Sequence, residues 1–259
     1  MPALIDPAEL QGSSGDQGAG ALLEIGYEGS PAGTPAVLPR ARRVDWRELL
    51  WDARERRIAR PEQLACRLGS LGIEPGAPLV VYGDPVQFGA YAAWALEVAG
   101  YPDVSLLDGG KEAWVGGSLP LVPAPSETLF SPGGATPTWT APTASPERID
   151  RHAVERALED PSWALLDVRS REEYLGDRVS PPEFDVDHGA AVGGRLPGAR
   201  HLPFRELLRP DGRFLPAASI ARRLEAAGVD PAQRIVTYCR LGHRAALAWF
   251  ALRVVLGAP

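Results

Sequence analysis

A cysteine stands in a cationic, glycine-containing loop near the end of the sequence. Cys239 follows the apolar run RIVTY, and Arg240, Gly242 and Arg244 come within the next five residues, just before the helix-compatible stretch AALAWFALRVVL. Loop amides, the positive end of a helix and two guanidinium groups all favour a thiolate over a thiol. A thiolate placed in this way is a nucleophile suited to attack on a sulfane sulfur, and the same amides would stabilise a Cys–S–S⁻ product.

The alternative interpretation of Cys239 is a small buried residue at the end of a core strand. The flanking Arg240, Gly242, His243 and Arg244 favour the reactive interpretation, because a core residue does not need a cationic loop. His243 is a candidate proton donor to a leaving group or a surface loop residue, and the sequence favours the surface role.

Short apolar runs alternate with amphipathic stretches along the chain. The runs LLEI, LVVY, ALLDV and RIVTY are rich in Val, Ile and Leu, and stretches such as PEQLACRLGSLGI have the period of a helix. This alternation predicts an α/β fold in which parallel strands form a sheet flanked by helices. Because the carboxyl ends of parallel strands meet at one edge, we expect Asp167 and Cys239 to share that edge.

The same order of features occurs twice, which predicts a duplicated unit. We expect one domain over residues 1–122, a linker rich in Pro, Gly, Ser and Thr over 123–146, and a second domain over 147–259. The pairs of residues that correspond between the two halves are Glu24 and Asp167, Leu38 and Leu196, and Tyr82 and Tyr238.

Composition excludes several classes of function. The net charge of -6, without a run of basic residues, argues against a nucleic-acid partner. An apolar stretch long enough for a membrane span and a signal-peptide pattern are both missing from the sequence, so we expect a cytoplasmic protein with reduced cysteines. The four histidines lie far apart, and we expect no metal site.

These segments together resemble the rhodanese family. The loop Cys239–Arg244 is similar to the family's active-site loop, LLDVRSREEYLG to its acidic-arginine segment, and RLPGARHLPF to its Pro-Gly-Ala segment. The first half resembles an inactive copy of the domain, in which Gly83-Asp84 takes the place of the cysteine. The resemblance implies two tandem rhodanese-like domains, each a mostly parallel sheet flanked by helices, and a sulfurtransferase activity that requires no cofactor.

The resemblance also assigns roles to the loop. Cys239 would be the sulfur-carrying nucleophile, Asp167 and Arg169 would support the site as an ion pair, and the donor would be bound by Arg240, Leu241, Gly242, His243 and Arg244. The other interpretation of Asp167 is a strand-end acid that accepts hydrogen bonds from local amides. The cationic loop favours thiosulfate as donor over 3-mercaptopyruvate, with cyanide or a thiol as acceptor.

Two rival functions stay open. A non-enzymatic interaction or sulfur-relay module would keep the fold while turnover is incidental. A cysteine phosphatase is disfavoured, because Ala245 stands where a Cys-x5-Arg loop needs arginine.

The sequence departs from the family pattern at two places. Glu173 stands where tandem enzymes have a substrate-contacting arginine, a role for which Arg171 is the nearby substitute. The second half also ends at Pro259, before any equivalent of the first half's last strand and helix, so we expect a truncated second domain in which the Tyr238 strand has an unpaired flank.

Overall fold

The structure of the protein, a computed structural model, describes residues 1–13, 20–27, 36–74, 76–124, 139, 145–183, 187 and 191–259. Contacts between Cα atoms divide the chain into two units. Unit 1 comprises Met1–Arg148 with Asp211–Arg213, and unit 2 comprises Ile149–Pro210 with Phe214–Pro259. Most of the linker expected over 123–146 lies outside the described residues. Within the described ranges, no helix is long and apolar enough to cross a membrane.

Unit 1 is built on a parallel sheet. Its strands are β1 (Ala3–Ile5), β2 (Ala21–Gly26), β3 (Ala36–Val37), β4 (Arg42–Asp45), β5 (Trp51–Asp52), β6 (Arg57–Ile58), β7 (Leu79–Asp84), β8 (Val104–Leu107) and β9 (Val122–Pro123). The main sheet has the order β1-β8-β7-β2-β4, and all its neighbours are parallel. Two small antiparallel pairs, β3 with β9 and β5 with β6, lie beside it.

Helices pack on this sheet through apolar residues. They are α1 (Pro7–Ser13), α2 (Trp46–Leu50), α3 (Pro61–Ser70), α4 (Val86–Val98) and α5 (Gly110–Gly116). In α3 the buried residues are Leu64, Ala65 and Leu68, which share one helical face. Helix α4 is buried over most of its length and packs on β7 and β8, so it forms the centre of the unit.

Unit 2 repeats the pattern with fewer strands. It contains α6 (Arg151–Ala157), β10 (Trp163–Asp167), α7 (Arg171–Leu175), β11 (Arg200–His201), α8 (Ala217–Ala226), β12 (Arg234–Tyr238) and α9 (His243–Phe250). A 3-10 turn spans Phe204–Leu207, and α9 continues as a π-helical segment over Ala251–Leu256. The sheet order is β11-β10-β12, again parallel, which confirms the predicted α/β architecture.

The strand that precedes Cys239 lies at the edge of the described sheet. Among the described residues β12 pairs with β10 alone, whereas β7 in unit 1 lies between β2 and β8. Every residue of β12 keeps some exposure, whereas Leu79, Val81 and Tyr82 of β7 are buried. On the flank of β12 that is equivalent to the β8 side of β7, the described part of the chain therefore supplies no partner strand.

The duplication extends to individual hydrogen bonds. Tyr82 lies opposite Glu24 in the strand register, and Tyr238 lies opposite Asp167. Each tyrosine hydroxyl accepts a hydrogen bond from a leucine N–H, at 3.1 Å from Leu38 and at 3.2 Å from Leu196. Burial, followed by the neighbouring carboxylate, raises the pKa of both tyrosines above the usual range. The two halves therefore share one tyrosine–acid–leucine arrangement.

Candidate active site around Cys239

The cysteine loop joins β12 to α9 through a glycine. Cys239 directly follows β12, and Gly242 is the residue before α9, with φ 104° and ψ −25°. This left-handed conformation is accessible to glycine and is costly for residues that carry a Cβ atom. It lets the Gly242 N–H point back to Cys239 Sγ, with a nitrogen–sulfur distance of 3.1 Å. The sulfur therefore receives a hydrogen bond from its own loop.

Arg244 is fixed by a two-point ion pair with Glu173. Its Nη1 donates to Glu173 Oε2 at 2.6 Å and its Nη2 to Oε1 at 2.9 Å. The Arg244 side chain is 12% exposed and Glu173 is fully buried. Burial opposes both charges, but the hydrogen bonds and attraction between them prevail, so the pKa of Glu173 is lowered and the pKa of Arg244 is raised. Attraction to Cys239 also contributes to the raised pKa of Arg244.

Helix capping places Glu173 in that position. Ser170 is the N-cap of α7, its Oγ accepts from Glu173 N–H at 3.3 Å, and Glu173 Oε2 accepts from Ser170 N–H at 3.1 Å. This reciprocal pair is a capping box, which the Ser-x-x-Glu spacing of SREE encodes. Sequence reasoning treated Glu173 only as a departure from the family pattern and missed it as the partner of Arg244.

The expected ion pair between Asp167 and Arg169 is present. Asp167 is fully buried and accepts from Arg169 Nε at 2.9 Å, from Nη2 at 2.6 Å and from the backbone N–H at 3.0 Å. Arg169 also donates to Gly194 O at 2.7 Å and lies over the Tyr238 ring at 5.7 Å. The pair therefore connects the end of β10 with Tyr238 of β12 and with Gly194. Arg244 instead pairs with the Glu173 carboxylate.

The remaining loop residues differ in exposure. Leu241 is 54% exposed, and Arg240 is partly buried with no ion pair recorded within the described part of the chain. The favoured surface role for His243 is wrong, because this residue is only 8% exposed. It begins α9 and so belongs to a helix that packs on the unit. Arg171, the expected substitute for an anion-binding arginine, is exposed at the start of α7.

The equivalent position in unit 1 has no space for a side chain. Gly83 follows Tyr82 as Cys239 follows Tyr238, and a Cβ atom on Gly83 would lie 2.2 Å from the backbone nitrogen of Gly89. Contacts between heavy atoms at this distance do not occur, so helix α4 occupies the space that a thiol would need.

Charged side chains compensate one another beside this closed loop. Lys111 Nζ lies 2.8 Å from Asp84 Oδ2 and 3.0 Å from Glu24 Oε2, and Arg43 Nε lies 3.2 Å from Glu24 Oε1. Burial raises the pKa of the Glu24 carboxyl, and the neighbouring cations only partly oppose this shift.

Neither a disulfide nor a metal cluster is recorded among the described residues. Cys66 and Cys239 are both free thiols. The described residues contain no group of three or more His, Cys, Asp or Glu that could hold a metal ion.

Comparison with known proteins places these features in a family. The family model described as "Rhodanese-like domain" matches residues 36–116 and 150–258. "Sulfur carrier protein TtuD" of Thermus thermophilus is 32% identical over 226 residues, which are 86% of this chain and 77% of that protein. A protein of Haloferax volcanii, provisionally named a thiosulfate sulfurtransferase, is 31% identical over 246 residues, which are 93% of this chain and 82% of that protein.

A solved structure shares the fold over the full length. SseA from Escherichia coli, described as a 3-mercaptopyruvate sulfotransferase with the rhodanese fold, matches with a TM-score of 0.75 at 21% identity. The match covers 100% of this chain and 96% of that one. Since the family model matches both halves and the relatives are similar over most of their length, this chain belongs to the rhodanese family and contains two copies of its domain.

Proposed function

We propose that this protein is a sulfurtransferase in which Cys239 carries the transferred sulfur. The observation that carries the proposal is the 3.1 Å hydrogen bond from Gly242 N–H to Cys239 Sγ, in a loop that also fixes Arg244 by its pair with Glu173. A sulfur held by an amide hydrogen bond beside a guanidinium group is positioned for attack on a sulfane sulfur. Domain 147–259 would perform the chemistry, and domain 1–122 would be non-catalytic because its loop excludes a thiol.

The reaction has two balanced steps. The Cys239 thiolate attacks the outer sulfur of thiosulfate, a new S–S bond forms, and sulfite leaves with the electron pair of the bond that breaks. The product is a Cys–S–S⁻ persulfide. An acceptor thiolate then attacks the terminal sulfur and leaves as its own persulfide, which regenerates the Cys239 thiolate; cyanide leaves as thiocyanate. Neither step needs an external oxidant, reductant or cofactor.

Charge at the loop supports thiosulfate as the donor. Glu173 compensates Arg244, whereas Arg240 has no ion pair recorded in the described residues and stands beside Cys239. A compact dianion would therefore be bound by Arg240 together with the loop amides. In this proposal Asp167 and Arg169 hold the end of β12, and Leu241, Gly242 and His243 shape the loop. Family names attached to 31–32% identical relatives agree with sulfur transfer.

A second candidate is a sulfur relay to a protein acceptor. It is favoured by the 54% exposure of Leu241, which places an apolar side chain in solvent two residues after the cysteine. The name of the Thermus thermophilus relative, a sulfur carrier, is in keeping with such a role. We place the protein in the cytoplasm as part of the same proposal, because a persulfide carrier needs a reduced thiol.

Intact-mass spectrometry of the full chain tests the proposal. Incubation with thiosulfate should add the mass of one sulfur atom, and cyanide should remove it. The adduct should be lost in Cys239→Ser and kept in Cys66→Ser, which removes the other thiol. A folded protein that gains no sulfur from thiosulfate but gains it from 3-mercaptopyruvate would correct the donor. A gain from neither donor would refute the enzyme and leave an interaction module.

A further inference from the structure

A cavity of about 340 Å³ lies in unit 1 at the end of the sheet opposite to Asp84. Its floor is formed by Gly20 together with Ala21 and Leu22 at the start of β2, and α1 contributes Leu10. Trp114 of α5 forms another wall, and its Nε1 donates to Pro120 O at 2.8 Å, which fixes the indole ring. The volume is within the range of small-molecule sites, roughly 300–1,000 Å³.

The lining of this cavity combines an apolar interior with positive charge. Leu10, Leu22, Ile73 and Trp114 supply apolar surface, and the charged residues of the lining are Arg40 and Arg42, without an acidic residue among the described ones. The Arg42 guanidinium lies against the backbone of Gly72, where a Cβ atom would come within 2.5 Å of Nη1. Two arginines beside an apolar surface have the chemistry that recognises an organic anion.

The duplication supplies a comparison within the same chain. Unit 2 has a corresponding cavity of about 330 Å³ at the start of β10, where Gly198 and Arg200 occupy the positions of Arg40 and Arg42. Its lining also includes Glu159 and Asp160. The cavity therefore belongs to the duplicated fold, whereas a lining whose charged residues, among those described, are arginines alone belongs to unit 1.

Arg40 adopts a backbone conformation that favours glycine. Its φ is 69°, and Gly198 at the same turn in unit 2 has φ 74°. A residue with a Cβ atom in this region is destabilised by about 1–2 kcal/mol, and such strain often occurs at functional sites. Arg40 is exposed at this turn.

We propose that this cavity is a binding site for a small organic anion with an apolar body. The apolar body would contact Leu22, and the anionic group would face Arg40 and Arg42. Every lining residue belongs to unit 1, whereas the Cys239 loop belongs to unit 2. The proposal therefore does not rest on the function proposed for Cys239.

Amide NMR of the full chain provides the test. The ¹⁵N-labelled protein is titrated with benzoate, phenylacetate and phenyl phosphate, and with benzylamine as a cationic probe of the same shape. At least one anion should shift the amides of Gly20, Leu22 and Ile73 saturably, and benzylamine should not. Arg42→Met should weaken anion binding at least tenfold, whereas Arg200→Met, the matched change in unit 2, should leave the affinity unchanged.

Arg40→Gly separates binding from folding. Because unit 2 has glycine at this turn, the variant should fold with equal or higher stability and still bind the anion more weakly. The proposal is overturned if none of the three anions shifts these amides saturably, or if benzylamine binds there equally well. It is also overturned if Arg42→Met and Arg40→Gly both keep the native affinity, or if Arg200→Met weakens binding as much as Arg42→Met does.

Discussion

Replacement of Glu173 by glutamine isolates the charge that fixes Arg244. Glutamine keeps an oxygen that can accept from Ser170 N–H, so the capping box of α7 is retained. Glutamine cannot form the charged two-point pair. The Arg244 side chain, which is 12% exposed, would then keep its positive charge without the Glu173 carboxylate that compensates it. Glu173→Gln therefore tests the ion pair apart from the helix cap.

The magnitude follows from burial. Removal of one partner from a buried ion pair typically costs about 3–5 kcal/mol, because the other charge is left uncompensated. Arg244 retains some contact with solvent, so we expect a loss of about 3 kcal/mol in the free energy of unfolding at pH 7. For a chain of this size that corresponds to a fall in melting temperature of about 6–12 °C.

The pH dependence has a defined sign. The pKa of Glu173 in the folded protein is held below its ordinary value of 4.5, so the ionised carboxylate stabilises the fold above that pH. This stabilisation is lost as the pH falls through the folded pKa. The difference between wild type and Glu173→Gln should therefore be full at neutral pH and shrink below pH 4.5.

Urea unfolding followed by circular dichroism, at neutral and acidic pH, measures these quantities. Glu206→Gln is the control, since Glu206 and Arg223 form an exposed pair at 3.0 Å that should contribute less than about 1 kcal/mol. A Glu173→Gln variant as stable as Glu206→Gln at pH 7 would refute the importance of the pair. A deficit that stays constant in acid would refute its electrostatic origin.

Two further predictions concern unit 1. Gly83→Cys in a Cys239→Ser background should gain no sulfur from thiosulfate, as measured by intact mass. Its free energy of unfolding, measured with urea, should be about 3 kcal/mol lower, because the new Cβ would lie 2.2 Å from the α4 backbone. A persulfide on this variant would contradict the closed loop. Lys111→Met should destabilise the protein by about 3 kcal/mol at pH 7, since fully buried Glu24 and partly exposed Asp84 both lose a cation. Because the pKa of Glu24 is raised by burial, that deficit should diminish in acid, where Glu24 becomes neutral, and urea curves at two pH values would show whether it does.

Local sequence patterns were enough for the sheet and for the position of the cysteine loop. The apolar runs that end at Asp167 and Tyr238 are parallel neighbours, with these two residues directly opposite each other in the register. The ends of these strands follow from the local composition of the sequence. Because the same order of features occurs in both halves, an assignment in one half supports the corresponding assignment in the other.

Features that depend on distant partners were not accessible from the sequence. Ser170 and Glu173 form a local capping motif, but the guanidinium bound by Glu173 comes from a residue 71 positions later. His243 is buried because α9 packs against the unit, which the polar residues beside it do not indicate. The paired cavities require the three-dimensional positions of strand starts and helix ends, so a linear pattern does not reveal them.

The approach of α4 to Gly83 bears on the history of the two copies. With glycine at this position the helix lies against the strand, and a later change to any larger residue meets the backbone of Gly89. Because α4 is buried over most of its length, it cannot withdraw without opening the centre of unit 1. A thiol at Gly83 therefore requires a second change that moves α4 away from the strand, so the loss of the cysteine at this position is harder to reverse than a surface substitution.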